Sequence, residues 1–400
     1  MAGPLSGVRV VDLTSVVSGP FATMFLADQG ADVIKVEPPV GDMTRRTRPP
    51  IDDDGQFSPM FISTNRGKRS ISLDLKRPEG VEALRKLIAR SDVLVQNFRP
   101  QVMERLGLGE AAVRALNPRL IYVSISGVGD SGPYAGKRVY DPIIQGLSGF
   151  ADVQAQAGTR RPQMIRAIVA DKTTSVMTAQ AITAALYARE RTGVGQHVKV
   201  AMLDAMIAFL WPEAMTNYVV VGREAPAGDH NARPDLVFAT IDGYITAGTI
   251  SDSEWAGFCK ATDRPDLLDD ERFNSQGKRA ANATERITLM GEILATRTTE
   301  NWLKRLDDCD VPCAPVLRRA EVLTNEQVVA RELIAEYVHS GVGRVRQARP
   351  AAQFSATPGR APSAAPRIGQ HSREILEELG YGADEIDGWA ITKVIREVKG

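Results

Sequence analysis

The sequence predicts an α/β protein with a parallel sheet, followed by a smaller α+β domain. Three observations carry this. The apolar runs Val8 to Leu13 and Ala31 to Val36 flank a helical pattern from Phe21 to Gln29, which Gly30 stops, and together they make a βαβ unit. Strand and helix patterns go on alternating through residues 1–200. Beyond them the texture changes to helices and short hairpin-like segments.

The elements follow in order. Ser70 to Leu75 reads as a strand, Pro78 to Ser91 as an amphipathic helix, and Val93 to Val95 as a short strand. Met103 to Asn117 is largely helical and Leu120 to Ser126 is a strand. Ala167 to Ala170 is expected to be a strand, with a long helix from Lys172 to Arg191 closed by Gly193. Ala201 to Val221 reads as helix, and Glu224 to Asp235 as a polar link. Phe238 to Ala247 holds a hairpin-like Asp242-Gly243 turn, and two or three helices follow to about Asp307. Gly343 to Gly369 is rich in Ala, Pro, Arg and Ser. So many prolines remove ladder donors that an extended surface segment is expected. A final helix starts near His371-Ser372. The expected division is residues 1–200 and 326–400 in a large domain, 201–224 as a linker helix, and 225–325 in a small domain.

Composition narrows the function. The 400 residues carry 49 Lys plus Arg against 49 Asp plus Glu, so bulk attraction to nucleic acid or a membrane surface has no basis. Basic residues cluster only locally, at Arg45, Arg46 and Arg48 and again at Arg66, Lys68 and Arg69. Cys259, Cys309 and Cys313 are too few for a disulfide framework, which fits a reducing compartment. Cys309 and Cys313 lack a second pair or a nearby histidine, and no metal site is expected. His197, His230, His339 and His371 are scattered. No basic-then-apolar start is present, and the apolar region from Ala205 to Val221 is broken by Pro212, Glu213 and Asn217. A cytoplasmic protein is the expectation.

Ile168-Val169-Ala170-Asp171-Lys172-Thr173-Thr174-Ser175 is the most informative stretch. It places one carboxylate where an apolar run meets a helix start. There Asp171 serves as a helix cap, as a nucleophile toward an acyl group, or as both. Free N–H groups at that helix start are expected to stabilise an oxyanion. Other motifs fare worse. The first turn, Thr14 to Pro20, has one glycine instead of three, and Pro20 removes a donor, so a dinucleotide site is disfavoured despite Glu37 at the second strand's end. Gly129-Asp130-Ser131-Gly132-Pro133 has a serine-protease look, but no disulfides and no plausible histidine partner accompany it. No Gly-x-Ser-x-Gly elbow exists.

Several ordered motifs together resemble the family III CoA-transferases, the group that includes formyl-CoA transferase and carnitine CoA-transferase. They are Ser18-Gly19-Pro20, Gly30 to Pro38, Asn65 to Ile71, Asn97-Phe98-Arg99-Pro100, Tyr140-Asp141-Pro142, Thr192 to Val198 with Met202 to Ala205, Phe354 to Gly359, and Gly369-Gln370-His371. The resemblance implies a Rossmann-like large domain built from both chain ends, an interlocked homodimer, and an acyl-CoA thioester as substrate with no permanently bound cofactor. It places the catalytic aspartate on Asp171, and an ionised carboxylate needs no base to attack a thioester. CoA contacts fall on Val17 and Ser18, on Leu73, Asp74, Leu75 and Lys76, on Asn97, Phe98 and Arg99, on Arg105, and on Lys137, Arg138, Val139 and Tyr140. Cations there suit the CoA phosphates. The chain departs from formyl-CoA transferase at Val17, where that enzyme has glutamine, and at Pro38, where it has arginine. The link Gly228 to Asn231 is short for that enzyme's glycine-rich loop. A 2-methylacyl-CoA racemase of the same fold is the rival reading. Racemization needs two acid/base groups, and Tyr140 stands where that branch has a histidine. A nicotinamide-dependent dehydrogenase is the more distant alternative.

Overall fold

The computed structural model describes residues 3–47, 51–52, 54–155, 159, 161–224 and 235–397. The polar link between Glu224 and Asp235, the segment Gly228 to Asn231, His230 and Arg48 fall wholly or mostly outside the described residues.

The chain forms two compact units. The first comprises Met1–Ala151, Met164–Thr216 and Glu332–Gly400, and the second comprises Asp152–Gln163 and Asn217–Arg331. In the first unit, β1 (Arg9–Asp12), α1 (Ser18–Asp28) and β2 (Asp32–Glu37) are followed by α2 (Pro59–Asn65), β3 (Arg69–Ser72), α3 (Pro78–Ala89) and β4 (Val93–Gln96). Then come α4 (Val102–Arg105), α5 (Glu110–Leu116), β5 (Ile121–Ser126), α6 (Asp141–Leu147) and α7 (Phe150–Val153), which runs across the boundary between the units. The long α8 (Val169–Thr192), β6 (His197–Ala201) and α9 (Met202–Leu210) follow.

The six strands form one parallel sheet in the order β3-β2-β1-β4-β5-β6. Adjacent residues of one strand face opposite sides. Val11, Ile34, Leu94 and Tyr122 therefore pack with Leu84 of α3 and with Ile375 and Ile386 near the C-terminus. Val10, Val33, Val93 and Val123 pack with Leu26 of α1 and Ile182 of α8. Apolar residues on both faces are what a buried parallel sheet requires. The strand order reverses direction between β1 and β4, and in such sheets ligands lie outside the strands' C-terminal ends at that point.

The second unit holds β7 (Phe238–Ala239), β8 (Tyr244–Ala247), α10 (Asp252–Ala261), α11 (Gln276–Ala281), α12 (Ala283–Leu294), α13 (Thr299–Asp307), β9 (Cys313–Pro315) and α14 (Glu326–Ala330). Its three strands pair antiparallel around a core that includes Trp255, Phe258, Phe273 and Trp302. The chain then returns to the first unit with the hairpin β10 (Ile334–His339) and β11 (Gly343–Ala348), and ends on α15 (Ser372–Glu378) and α16 (Ala383–Ile391).

Several local expectations are corrected. Ala167 to Ala170 is not a strand, because α8 already begins at Val169, for a reason given below. The first helix starts at Ser18 instead of Phe21, since a proline in the first turn forfeits only a donor that is unpaired anyway. Met103 to Asn117 breaks into α4 and α5 around Gly107, whose φ of 68° suits glycine. The helix expected to reach Val221 ends at Leu210, just ahead of Pro212. Strands β6, β9 and β10 lie where no strand is expected, Gly343–Ala348 pairs with β10 as β11 at the start of a segment expected to be extended and unpaired, and four α-helices, not two or three, lie between Asp252 and Asp307. Among the described residues no helix is long and apolar enough to cross a membrane, and no cluster of three or more His, Cys, Asp or Glu residues could hold a metal.

Candidate active site

The turn after β1 is the platform of the site. It runs from Leu13 to Val17 and delivers Ser18 as the first residue of α1. Three features fix it. Val16 has φ 71°, a left-handed conformation that a β-branched residue adopts only under strain. Asn97, just past β4, clamps Ser15 from both sides: its Nδ2 donates to the Ser15 carbonyl at 2.9 Å, and its Oδ1 accepts from the Ser15 N–H at 3.0 Å. Gly19 packs so closely on Thr14 that an added Cβ would lie 2.3 Å from the Thr14 Cβ.

A fully buried charge network supports that turn from beneath. Asp12 accepts from Lys68 Nζ at 2.9 Å and from Thr23 Oγ1 at 2.7 Å, and Lys68 Nζ also donates to the Pro20 carbonyl at 2.9 Å. Lys35 Nζ donates to the Thr14 carbonyl at 3.0 Å and to Asp42 at 2.9 Å. Glu37 takes a bidentate pair from Arg45 at 2.7 and 2.8 Å. Burial pushes the Asp12 carboxyl up, but Lys68 and Lys35 outweigh it and hold the group far below the usual carboxylate range. Three cations meet three carboxylates, so no charge is left uncompensated.

Asp171 is the third residue of α8 and is half-buried. The main-chain N–H and the hydroxyl of Ser18 favour its charged form. Ser175 links the two helix starts: its hydroxyl lies 2.8 Å from the Ser18 carbonyl and 2.7 Å from the Asp171 carbonyl and shares its one hydrogen between them. Burial, and then the nearby Asp141 carboxylate, push the Asp171 carboxyl up to about 6.

Asp141 explains why α8 starts early. It is the first residue of α6 and only 3% exposed. Its Oδ2 accepts from the N–H groups of Ala170 at 2.7 Å and Asp171 at 3.1 Å, and its Oδ1 accepts from Gln145 Nε2 at 2.6 Å. A residue far away in sequence thus supplies the cap, and α8 itself has no side-chain cap. This overturns the expectation that those N–H groups serve an oxyanion, because Asp141 already occupies them. It also overturns the cap role for Asp171, whose carboxylate faces Ser18.

The other expected contacts sit on loops that follow the C-terminal ends of β3, β4 and β5, except Arg105, the last residue of α4. Neighbouring strands lie about 4.8 Å apart, so β3 and β5, four steps apart, span about 19 Å of sheet edge. Lys76, Arg99, Arg105 and Arg138 are exposed, and among the described residues they take part in no ion pair. The Lys137 ammonium lies 4.7 Å from the centre of the Tyr134 ring. Leu73 and Val17 are buried, so only their main chains are available to a ligand, and Leu73 belongs to the core. The Asp74 N–H is spent on the Val394 carbonyl, and Leu75 packs on the core. The Asn97 amide is spent on Ser15, and the Phe98 N–H donates to Gln96 Oε1 at 2.8 Å. Val139 packs on Gly127. Tyr140 precedes α6 and is 57% exposed. Of these expected contacts, Ser18 is the one that bears on the charge of Asp171.

The family model for CoA-transferase family III matches residues 5–372. The chain belongs to CoA-transferase family III. It is 37% identical to a succinate–glutarate CoA-transferase of Agrobacterium fabrum over 94% of this chain and 96% of that one. A succinyl-CoA:mesaconate CoA-transferase of Haloarcula hispanica is 36% identical over 95% of this chain and 97% of that one. A formyl-CoA:oxalate CoA-transferase of Streptomyces avermitilis is 32% identical over 96% of this chain and 98% of that one. The crystal structure of a CAIB/BAIF family protein from Brucella suis matches with a TM-score of 0.82 and 35% identity, covering 95% of this chain and all of that one. In this family III CoA-transferase, sequence reasoning singled out Asp171 and Ser18 but not the contacts made by Asp141, Gln145 and Ser175. The Tyr140-Asp141-Pro142 motif was the available signal, since an Asp-Pro pair opening a helix puts a carboxylate at a fixed place.

Proposed function

We propose that this protein moves CoA from an acyl-CoA thioester to a carboxylic acid through covalent chemistry on Asp171, with short dicarboxylic acids as the substrate class. The observation that carries the reading is the Asp171 carboxylate, half-buried at the start of α8 beside the Ser18 N–H and hydroxyl. The relatives named for succinate, glutarate and mesaconate supply the substrate class.

An Asp171 oxygen attacks the thioester carbonyl, the C–S bond breaks, and CoA leaves as thiolate with a mixed anhydride on the enzyme. The thiolate attacks the aspartyl carbonyl, the anhydride C–O bond breaks, and the first carboxylate departs. The resulting aspartyl–CoA thioester keeps the energy of the original bond. The acceptor carboxylate then attacks it and releases the thiolate, and the thiolate attacks the acceptor's acyl carbon and frees Asp171. No water is consumed and no proton is transferred. The Ser18 N–H and hydroxyl already face the aspartyl group, and they stabilise the oxyanion that forms on it. Lys76, Arg99, Arg105, Lys137 and Arg138 hold the CoA phosphates, with Val17, Leu73, Asp74, Leu75, Asn97, Phe98, Val139 and Tyr140 shaping the rest of that site. CoA is here a substrate, and the protein works in the cytoplasm without a resident cofactor.

The active form in this reading is an interlocked homodimer. Val176 and Tyr187 of α8, Ile207 and Phe209 of α9, and Trp211 are large apolar residues left exposed in a single chain, which a second copy would cover. The test is a transfer assay with succinyl-CoA and a panel of acceptor acids, run alongside deuterium exchange at the α-carbon. CoA should appear on glutarate or a similar dicarboxylate with no deuterium uptake. Deuterium uptake without transfer would replace this reading with the racemase.

A further inference from the structure

We propose that Asp141 is a positioning residue of the transfer reaction: its buried carboxylate takes the N-terminal donors of α8 for itself, and so aims Asp171 at Ser18 as an unquenched nucleophile. This rests on the assignment of Asp171 as the acyl acceptor.

The geometry carries the inference. An aspartate in the first turn of a 24-residue helix ordinarily draws stabilisation from the free N–H groups and from the positive end of the helix dipole. Such stabilisation favours the resting carboxylate and weakens it as a nucleophile. Here those donors are consumed. Asp141 Oδ2 accepts from both Ala170 and Asp171, and Lys172 N–H bonds the Ile168 carbonyl. Gln145 makes the arrangement rigid. Its Nε2 holds Asp141 Oδ1 at 2.6 Å, and its Oε1 accepts from the Ile165 N–H at 3.0 Å, so α6 grips the segment leading into α8 at both ends. The Asp171 N–H is tied back to Asp141, its carboxylate is left to the influence of the Ser18 N–H and hydroxyl, and the Ser175 hydroxyl links the two backbones.

Other charges do not take this role. The elements packed against α8 are α1, α6, α9, β5 and β6. From α1 comes Ser18, with Asp28 as its one ionisable residue, at the far end and paired with Arg66. From α9 comes Asp204, which is exposed. β5 brings Tyr122, and β6 brings His197, held to Ser124, and Lys199, paired with Asp130. On α8 itself, Lys172 is exposed, and Arg189, Glu190 and Arg191 lie in its last turn. Asp141 alone among the described ionisable groups bears on the charge of Asp171. Two neighbouring carboxylates with different partners are a familiar way to keep one of them reactive.

The full-length protein, carrying aspartate labelled with carbon-13 at its side-chain carboxyl, tests this by NMR titration. The Asp171 signal is assigned by its loss in Asp171→Asn. In the wild type its midpoint should lie near pH 6. Asp141→Asn removes the charge but keeps an oxygen for the N–H groups and should lower that midpoint only in part, whereas Asp141→Ala also frees those donors and should bring it down by about tenfold or more in proton affinity. Asp141→Glu should leave it raised. Acylation of Asp171 by succinyl-CoA, followed by peptide mass, should keep its low-pH limb in the wild type and Asp141→Glu and lose it in Asp141→Ala. An unchanged midpoint in Asp141→Ala overturns the proposal. So does a wild-type midpoint at the ordinary carboxylate value, whatever the variants do. A raised, Asp141-dependent midpoint in a protein that no acyl-CoA labels would retain the positioning and sink the acyl-acceptor assignment instead.

Discussion

At the scale of the residue, the chemistry reduces to one carboxylate kept away from strong partners. Asp171 is raised to about 6 by burial and then by Asp141, while an unfolded aspartate titrates near about 4. The sign of the stability effect follows. The folded state binds the proton more tightly than the unfolded state, so the contribution is full below about pH 4 and is lost as pH rises through about 6. At neutral pH the ionised residue therefore costs the fold, by up to about 3 kcal/mol. Asp171→Asn should accordingly melt higher than the wild type at pH 7.5 while losing transfer activity, and calorimetry should show the gain shrinking to nothing near pH 4. A gain that is independent of pH would mean that ionisation is not its source. This trade of stability for reactivity is expected where a site is built for function. Asp171 stood out in the sequence as the single acid where an apolar run meets a helix start, and the family resemblance proposes it as the nucleophile. Its neighbour was not, since the hydrogen bonds from Ala170 and Asp171 to Asp141 join positions 29 and 30 residues apart.

At the scale of the element, the proposed chemistry requires that the turn after β1 be held in place. The Asn97 amide makes two hydrogen bonds to Ser15, three residues ahead of Ser18. Asn97→Ala should cost about 1–3 kcal/mol in stability by leaving two part-buried backbone groups unpaired, and should lower kcat more than it raises KM for the acyl-CoA. Equal effects on both would place Asn97 on the substrate instead. Beneath the turn, Lys68→Met leaves Asp12 buried without its nearest cation and should cost about 3–5 kcal/mol, read as a lower urea midpoint at unchanged m. An unchanged midpoint would mean that Lys35 alone compensates Asp12. The βαβ start was legible because its strands are apolar on both faces. β6 was not, because it is an edge strand with only Ala201 fully buried, so its residues His197 to Val200 carry no strong pattern. The early start of α8 was hidden for a related reason: its cap comes from another helix.

At the scale of the whole molecule, the parallel sheet places the β1, β3, β4 and β5 loops along one edge, and the order reversal between β1 and β4 puts Ser18, at the start of α1, and Asn97, just past β4, beyond the ends of neighbouring strands. The alternation of strand and helix made this class of fold legible. The hairpin β10–β11 was not, because its strands Ile334 to His339 and Gly343 to Ala348 each bury only one residue fully. Light scattering should give twice the 43.4 kDa mass of the chain, and Phe209→Asp should shift it toward the single-chain value. A monomer at micromolar concentration that retains full activity would contradict the assembly proposed here.

The most direct test of the central claim is to incubate the protein with succinyl-CoA, quench with borohydride, and map peptide masses. Hydride reduces an activated aspartyl group to an alcohol and leaves a free carboxylate untouched. The account predicts a mass loss on the peptide carrying Asp171, dependent on succinyl-CoA and absent from Asp171→Ala. Full transfer activity in Asp171→Ala, or reduction at a different acidic residue, would contradict it.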